Sequence, residues 1–331
     1  MQQLPTEPGL VSIITTTYNR THYLKQAIES ALKQTYPHFE MIISDDASTE
    51  DVESVVAGFK DSRLRYRRNE TNLGMCANIR AALMEARGEF FAYLNDDDMW
   101  EPTFLEKVVA PMMQNPEITV SFSDHYVMDE NGTIDSTLTD TLFQRYARNV
   151  LPPGLHQPFY QLMVQSTIPC AQASLFRRSI LREKGIPLEV GTCYDRWTGY
   201  LACRKGQAAY YTPERLTRYR VHGRSCTSGA GSGSLERALE WNHSFIYYYN
   251  ALLSDSDFHS YRATLKRQRA ISLRILANTY LAYGQGTRAR QYLLRALQDH
   301  PNPKGAMSLV ISFMPSLMQQ RILQKLRASG G

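Results

Sequence analysis

The sequence contains the stretch Tyr93-Leu94-Asn95-Asp96-Asp97-Asp98-Met99-Trp100, in which three adjacent acids follow a run of apolar residues. The apolar run begins at Phe90, and its length is typical of a strand that is buried on both faces. Three carboxylates at the end of such a strand repel one another unless water, protons or a cation compensate their charge. A hard divalent ion is one such cation. The alternative is a solvated acidic turn before a helix, with Asp98 as the helix cap.

Strand and helix patterns alternate through the N-terminal part of the chain. Runs of apolar and β-branched residues predict strands at 11–15, 41–44, 64–66 and 90–94. Between these runs apolar residues recur at helical spacing. Ser48 and Asp51 resemble a capping box at the start of the second helix. Strands that alternate with helices indicate an α/β fold with a parallel, doubly wound sheet.

Polar residues follow each of the first three predicted strands. Tyr18 and Arg20 come after the first, Asp45 and Asp46 after the second, and segment 69–78 after the third. Because ligands of open α/β sheets bind at the carboxyl ends of the strands, we expect a nucleotide-sized site at this edge. The glycine-rich signatures of dinucleotide dehydrogenases and of P-loop NTPases are both missing, which disfavours these two classes.

Six segments in this order resemble the inverting glycosyltransferases of family 2, which have the GT-A fold. The segments are 11–20 (VSIITTTYNR), 42–49 (IISDDAST), 72–78 (NLGMCAN), 88–100 (GEFFAYLNDDDMW), 194–195 (YD) with 202–206 (ACRKG), and 219–225 (YRVHGRS). The resemblance spans residues 10–228 and implies an α/β fold of the Rossmann-like GT-A type. Two positions depart from the family pattern. Asn95 stands where the family usually has an acid, and Tyr194 stands where it often has Glu.

The resemblance implies that five residues at the strand ends bind the nucleotide-sugar donor. Thr16 and Tyr18 would line the nucleobase, with Tyr18 stacked on it, and Asp46 would accept from the uracil or the ribose. Arg20 would reach the diphosphate, and Asn78 would contact the base or the ribose. The residues alone leave alternatives open. Tyr18 could be a core aromatic and Asp46 a loop cap. Arg20 could be a solvated surface residue and Asn78 a helix-face amide without a partner.

The resemblance also implies a divalent metal, Mn²⁺ or Mg²⁺, at the acidic run. Asp97 would be the metal ligand, and Asp96 would bridge to the ribose or to the metal. His222 resembles a further ligand of the metal or the diphosphate, and an imidazole beside carboxylates favours Mn²⁺. An exposed loop histidine is the alternative for His222. Arg224 follows in a segment that we expect to hold phosphate oxygens of the donor.

Asp195 is the residue that the resemblance implies as the general base. An inverting transfer needs one carboxylate near the acceptor hydroxyl, opposite the leaving group, to take the proton as the hydroxyl attacks. The alternative for Asp195 is an ordinary helix N-cap.

The composition is typical of an intracellular enzyme. The chain has 331 residues, of which 43% are hydrophobic, so it can bury one sizeable domain with an appendage. Its five cysteines form no Cys-x-x-Cys pair, which argues against a zinc site and a disulfide framework. Residues 1–9 are polar and contain proline, so we predict no signal peptide. We therefore expect a cytoplasmic protein, without a nucleic-acid partner.

The pattern changes after Gly223. We expect a GT-A catalytic domain at residues 1–228, a Gly/Ser linker at 229–234 and a helical region at 235–331. Within the helical region, residues 271–301 resemble one tetratricopeptide-type hairpin. Residues 307–327 read as a basic, apolar helix that could lie on an anionic membrane surface as a peripheral contact. Packing on its own domain, or a homo-oligomer formed through this helix, is the alternative.

The resemblance implies a metal-dependent inverting glycosyltransferase. We expect the donor to be a UDP-sugar, and the acceptor to be a hydroxyl of a cell-envelope glycan or lipid-linked saccharide. Segment 136–167 has no counterpart among the shared motifs, so we expect it to shape acceptor choice. Two alternatives remain. A nucleotidyltransferase would have a glycine-rich basic loop after the first strand, and a non-catalytic scaffold that binds nucleotide sugars would lack Asp97 or Asp195.

Overall fold

The computed structural model describes residues 5–223, 235–319 and residue 322. The chain divides into two compact units. The first contains residues up to 188 together with 194–223, and the second contains residues 189–193 together with those after 223.

The first half of the first unit alternates strands and helices as predicted. Its elements are β1 (Glu7–Thr17), α1 (Thr21–Leu32), β2 (Phe39–Asp45), α2 (Val52–Ala57), β3 (Leu64–Arg68), α3 (Met75–Glu85) and β4 (Gly88–Tyr93). The four strands lie in the order β3-β2-β1-β4, and each neighbouring pair is parallel. The carboxyl ends of these strands therefore meet at one edge of the sheet.

The second half of this unit completes a mixed sheet. Its elements are β5 (Met99–Trp100), α4 (Phe104–Gln114), β6 (Ile118–Met128), α5 (Ser136–Arg145), β7 (Gly154–His156), α6 (Tyr160–Val164), β8 (Ser174–Arg177), α7 (Tyr194–Cys203) and β9 (Ala208–Arg220). β8 lies between β4 and β6 and is antiparallel to both. The parallel arrangement predicted from the first strands thus holds for those four, is interrupted by β8, and recurs between β6 and β9.

β4 is buried on both faces, as its apolar run predicts. Phe90 packs into the core cluster on the side of α1 and α4, while Phe91 on the opposite face stacks on Phe176 with ring centroids 5.5 Å apart. At the start of β4, a Cβ on Gly88 would lie 2.5 Å from the carbonyl oxygen of Leu10. Only glycine therefore lets β4 pair this closely with β1.

The second helix begins differently from the predicted capping box. Asp51 is the N-cap, and its carboxylate accepts from the backbone N–H of Ser54 at 3.0 Å. The hydroxyl of Ser48 instead accepts from the backbone N–H of Asn19 at 2.9 Å. Ser48 therefore joins the loop after β2 to the loop after β1, at the edge where the site was expected.

The second unit is helical. Its helices are α8 (Leu235–Ser254), α9 (Arg262–Ala282), α10 (Gly286–Asp299) and α11 (Pro303–Ile311). α9 and α10 share a core that includes Leu276, Tyr280 and Leu293. The domain boundaries and the tetratricopeptide resemblance stay predictions. The 229–234 linker and the basic residues Arg321, Lys325 and Arg327 lie outside the described residues. Among the described residues, no helix combines the length and apolar character needed to cross a membrane.

Candidate active site

The predicted site residues follow strand ends that lie side by side. The backbone N–H of Asp46 donates to the carbonyl of Thr17 at 3.0 Å, which joins the ends of β1 and β2. The backbone N–H of Leu94 donates to the carbonyl of Ile14 at 3.1 Å, which joins β4 to β1. The loops that carry the nucleobase candidates, Asp46 and the acidic run thus leave the sheet at one edge.

The loop after β1 presents Tyr18 to solvent. The Tyr18 side chain is 47% exposed, so the core-aromatic alternative is wrong. Asn19, the next residue, has a left-handed backbone with φ +54°, a conformation that Asn tolerates well. The Asn19 side-chain oxygen accepts from the backbone N–H of Thr49 at 2.7 Å. The backbone is therefore fixed while Tyr18 stays exposed, and Thr16 is half-buried near the end of β1.

The Asp46 carboxylate holds the loop before α3. One oxygen accepts from the side chain of Asn69 at 2.7 Å and from the backbone N–H of Leu73 at 2.9 Å. The other oxygen accepts from the backbone N–H of Gly74 at 2.9 Å. This is the loop-cap arrangement left open by the sequence. A contact between Asp46 and a nucleotide stays a prediction.

Asn78 belongs to the same buried network. Its amide nitrogen donates to the carbonyl of Ser44 at 2.8 Å, and its oxygen accepts from the Asn69 amide at 2.9 Å. Its side chain is buried, and the alternative of an amide without a partner is wrong. Asn78 ties α3 to the end of β2, and its contact with the donor stays a prediction.

The acidic run is buried and faces Arg20. The Arg20 guanidinium lies 3.2 Å from an oxygen of Asp96 and 3.0 Å from an oxygen of Asp97, so the solvated-surface alternative for Arg20 is wrong. Burial and the neighbouring Asp97 raise the pKa of Asp96 to about 7. Burial and Asp97 also raise the pKa of Asp98 well above its ordinary value. One guanidinium therefore does not compensate three carboxylates, and the raised pKa values favour the protonated forms of Asp96 and Asp98.

His222 lies beside Asp97. Its Nε2 is 3.1 Å from the Asp97 oxygen that also meets Arg20, and its ring centroid is 5.1 Å from that of Tyr23. The His222 side chain is buried, so the exposed-loop alternative is wrong. Arg224, the other candidate of this segment, lies outside the described residues.

Arg220 is a site residue that sequence reasoning missed. Its buried guanidinium donates to the carbonyl of Asp97 at 2.7 Å, to the carbonyl of Glu130 at 3.0 Å and to the side chain of Gln26 at 2.8 Å. It also lies over the ring of Tyr23, 4.7 Å from the centroid. The available signal was its position in the segment 219–225, which also contains the candidates His222 and Arg224.

The two positions that depart from the family pattern contact each other. The hydroxyl of Tyr194 donates to the side-chain oxygen of Asn95 at 3.3 Å. The Asn95 amide donates to one oxygen of Asp98 at 2.9 Å, and the backbone N–H of Arg220 donates to the other at 2.8 Å. A neutral pair therefore stands at two positions where the family usually has acids, and it supports the turn of the acidic run.

Asp195 lies in the first turn of α7, next to Tyr194, and is partly buried. It is inside the helix, so the N-cap alternative is wrong. Burial raises the pKa of Asp195. Burial and the nearby Asp195 carboxylate also raise the pKa of Tyr93, whose hydroxyl lies 2.9 Å from that of Thr198 in α7. The helix that carries Asp195 is thus joined to the last residue of β4.

The donor set fits a hard or borderline divalent cation. Asp96, Asp97 and His222 offer carboxylate oxygens and one imidazole nitrogen. In the part of the chain that is described, no three acidic, histidine or cysteine side chains form a ready-made metal cluster. Arg20 occupies the position between the two carboxylates, so a cation there would compete with the guanidinium.

A family model described as "Glycosyl transferase family 2" matches residues 12–185 of the chain. The chain is also similar to TuaG of Bacillus subtilis (strain 168), a glycosyltransferase named for teichuronic acid biosynthesis. The two are 30% identical over 224 residues, which cover 66% of this chain and 82% of the relative.

Two solved structures share the fold. The S. aureus TarS fragment 1–349 in complex with UDP has a TM-score of 0.64 at 16% identity, covering 97% of this chain and 92% of that one. The mannosyltransferase PcManGT from Pyrobaculum calidifontis, in complex with GDP-Man and Mn²⁺, has a TM-score of 0.56 at 16% identity. This alignment covers 94% of this chain and 86% of that one. At this identity the likeness concerns the fold.

The contact between Tyr194 and Asn95 can be tested by a double-mutant cycle. Tyr194→Phe removes the hydroxyl that donates at 3.3 Å, and Asn95→Ala removes its acceptor. We expect the two changes to couple by about 0.5–1.5 kcal/mol in the free energy of unfolding, measured by chemical denaturation. Tyr200→Phe, which removes another α7 hydroxyl that accepts from Lys184, should combine additively with Asn95→Ala. Strict additivity of Tyr194→Phe and Asn95→Ala would contradict the contact.

Proposed function

The chain belongs to glycosyltransferase family 2, and we propose that it is a metal-dependent, inverting enzyme that uses a UDP-sugar. The acceptor we propose is a hydroxyl of a cell-envelope glycan or a lipid-linked saccharide, reached from the cytoplasmic side. The single observation that carries the proposal is the meeting of Asp96, Asp97, Arg20 and His222 at one sheet edge, where α7, the helix of Asp195, contacts the end of β4 through Thr198.

The nucleotide would bind across the ends of β1 and β2. Tyr18 offers an exposed aromatic face on which a base can stack, and Thr16 lies beside it. Asp46 and Asn78 hold the surrounding loops, so the wall of the site is ordered before a nucleotide arrives. A structure with the same fold was solved with UDP, which supports a uracil nucleotide, whereas the second neighbour holds GDP-Man.

Asp97 and His222 would bind the metal. Asp96 would contact either the metal or the ribose. When bound, a divalent ion supplies charge that stabilises the diphosphate as it leaves the sugar. The neighbour solved with Mn²⁺ supports a divalent ion of this kind. Arg20 contacts both carboxylates, and we propose that its guanidinium turns to the diphosphate oxygens when they arrive.

Asp195 would take the proton of the acceptor hydroxyl. A partly buried carboxylate with a raised pKa is a stronger base than a solvated one, which suits proton removal. Attack on the side opposite the leaving diphosphate inverts the configuration of the anomeric carbon. One base is therefore enough, and no covalent intermediate is needed. The contacts of Tyr194 and Thr198 with the end of β4 would position this base.

The acceptor would be selected by residues 136–167. This segment contains α5, β7 and α6, and none of the motifs shared with the family lies in it. The similarity to TuaG, which is named for teichuronic acid biosynthesis, supports a cell-envelope polymer as the acceptor. A panel of nucleotide sugars with Mn²⁺ tests the reaction class. UDP release upon addition of acceptor supports transfer, and binding without turnover would indicate a scaffold. A nucleotidyltransferase would instead release pyrophosphate from a nucleoside triphosphate and a sugar phosphate, which a parallel assay supplies.

Asp97→Asn should abolish the increase in UDP affinity that Mn²⁺ produces. The substitution keeps the size of the side chain but removes the charge that a cation would bind. Calorimetric titration of UDP with and without Mn²⁺ measures the effect. Asp61→Asn, a change of the same kind in the loop before β3, is the matched control. An Asp97→Asn protein that keeps the full Mn²⁺ effect would contradict the assignment.

Asp195→Asn should retain UDP affinity and lose transfer by about a hundredfold or more, because a general base contributes at least that much. In the parent enzyme the base acts only when deprotonated. Its pKa is raised by burial, so kcat should fall as the pH decreases through a value above that of an ordinary Asp, about 3.9. Rate measurements over pH at saturating substrates show this. Parental turnover by Asp195→Asn would mean that another group accepts the proton.

His222→Ala should weaken the binding of UDP in Mn²⁺ and leave uridine binding unchanged. The imidazole lies at the Asp97 carboxylate, where the metal and diphosphate are proposed to bind. Affinities of UDP and uridine, measured in parallel, separate the two contributions. His156→Ala, in the short edge strand β7, should affect neither ligand. Equal losses for UDP and uridine in His222→Ala would show that His222 only supports the fold.

A further inference from the structure

A basic cavity lies in the first unit, between α3 and the segment that follows β8. Its volume is about 250 Å³, slightly below the usual range of sites for drug-sized ligands. Its lining residues are Arg80, Leu83, Leu181, Arg182, Glu183, Lys184, Gly185 and Ile186. None of them belongs to the candidate active site.

The cavity has an excess of positive charge. Arg80 is half-buried on α3, and neither it nor Arg182 forms a side-chain hydrogen bond or ion pair with any described residue. Lys184 donates to the hydroxyl of Tyr200 at 2.9 Å and keeps its charge near the cavity. Glu183 is the one acid of the lining, and two further cations pair with it. These are Arg204, at 3.0 Å, and Lys205.

The floor of the cavity is apolar. Leu83, Leu181 and Ile186 are all buried, whereas Arg182 and Lys184 are exposed at the rim. The cavity therefore offers hydrocarbon surface below and cationic donors above. A half-buried guanidinium without an internal acceptor is costly unless water or a ligand supplies one.

The loop that lines the cavity is attached to the side of α7 opposite to Asp195. The indole N–H of Trp197 donates to the carbonyl of Gly185 at 2.8 Å, which fixes the lining loop to α7. At helical spacing, Trp197 and Tyr200 lie on the side of α7 opposite to Asp195. A ligand in this cavity would therefore bind separately from the transfer reaction.

We propose that this cavity binds the phosphate group of an amphiphilic molecule. Arg80, Arg182 and Lys184 would donate to the phosphate oxygens, which guanidinium groups match with two parallel hydrogen bonds. The first apolar atoms attached to the phosphate would cover Leu83, Leu181 and Ile186. The site is distinct from the donor site and does not depend on the proposed transfer activity.

The test compares the full chain with Arg80→Gln/Arg182→Gln in EDTA, so that divalent ions cannot assist binding. Two probes are used at low ionic strength with saturating UDP present, so that the proposed donor site is already occupied. They are inorganic pyrophosphate, measured by calorimetry, and phosphatidylcholine vesicles containing phosphatidic acid, measured by flotation. Affinity for both probes should fall about tenfold or more in the double variant, because charge-assisted hydrogen bonds are lost. Lys25→Gln/Lys60→Gln removes the same charge from exposed positions elsewhere and should leave both affinities unchanged.

The Arg80→Lys variant distinguishes the loss of a binding site from a change in folding. This variant keeps the positive charge but loses the planar guanidinium group. Its affinity for the two probes should therefore lie between those of the parent and the double variant. Retained UDP affinity in all variants shows that the fold and the donor site are intact. No binding of pyrophosphate by the parent, or equal binding by the double variant, would overturn the proposal. Pyrophosphate binding without vesicle binding would overturn the amphiphilic ligand and indicate a soluble phosphate compound.

Discussion

The buried guanidinium of Arg220 is the group around which the candidate site is assembled. A charge taken out of water has a large cost unless every donor is matched, and here backbone carbonyls and one amide match it. These acceptors belong to the acidic run, to the turn after β6 and to α1. Satisfying one side chain therefore sets the relative positions of three separate segments. His222, two residues further on, reaches Asp97 because the end of β9 is fixed in this way.

The walls of the site are supported by polar contacts more than by apolar packing. Asp46, Asn69 and Asn78 form one buried network whose partners are largely one another and nearby backbone groups. Such a network is stable only when its members are all satisfied, so it holds the loop before α3 in one conformation. Residues that resemblance connects with ligand contact therefore also determine the shape of the pocket, and their removal would disturb both.

Local patterns predicted β1 to β4 and the helices between them, because strand and helix periodicity depend on neighbours in sequence. The mixed half of the sheet was not predicted, since the antiparallel position of β8 between β4 and β6 depends on strands far along the chain. At the site, the three adjacent acids Asp96–Asp98 were identified as candidates from the sequence alone. The pairing of Asn95 with Tyr194 was not, because the two lie 99 residues apart and each was interpreted as a separate departure.

Arg20 has a consequence for metal selectivity under the proposed function. Its guanidinium bridges Asp96 and Asp97, so it takes the place of an ion and relieves the repulsion between the two carboxylates. A free divalent ion would have to displace the Arg20 guanidinium, whereas a nucleotide diphosphate would bring phosphate oxygens that could accept hydrogen bonds from it. The Asp96–Asp97 pair would then bind free transition-metal ions weakly and would bind the metal–nucleotide complex as a single ligand.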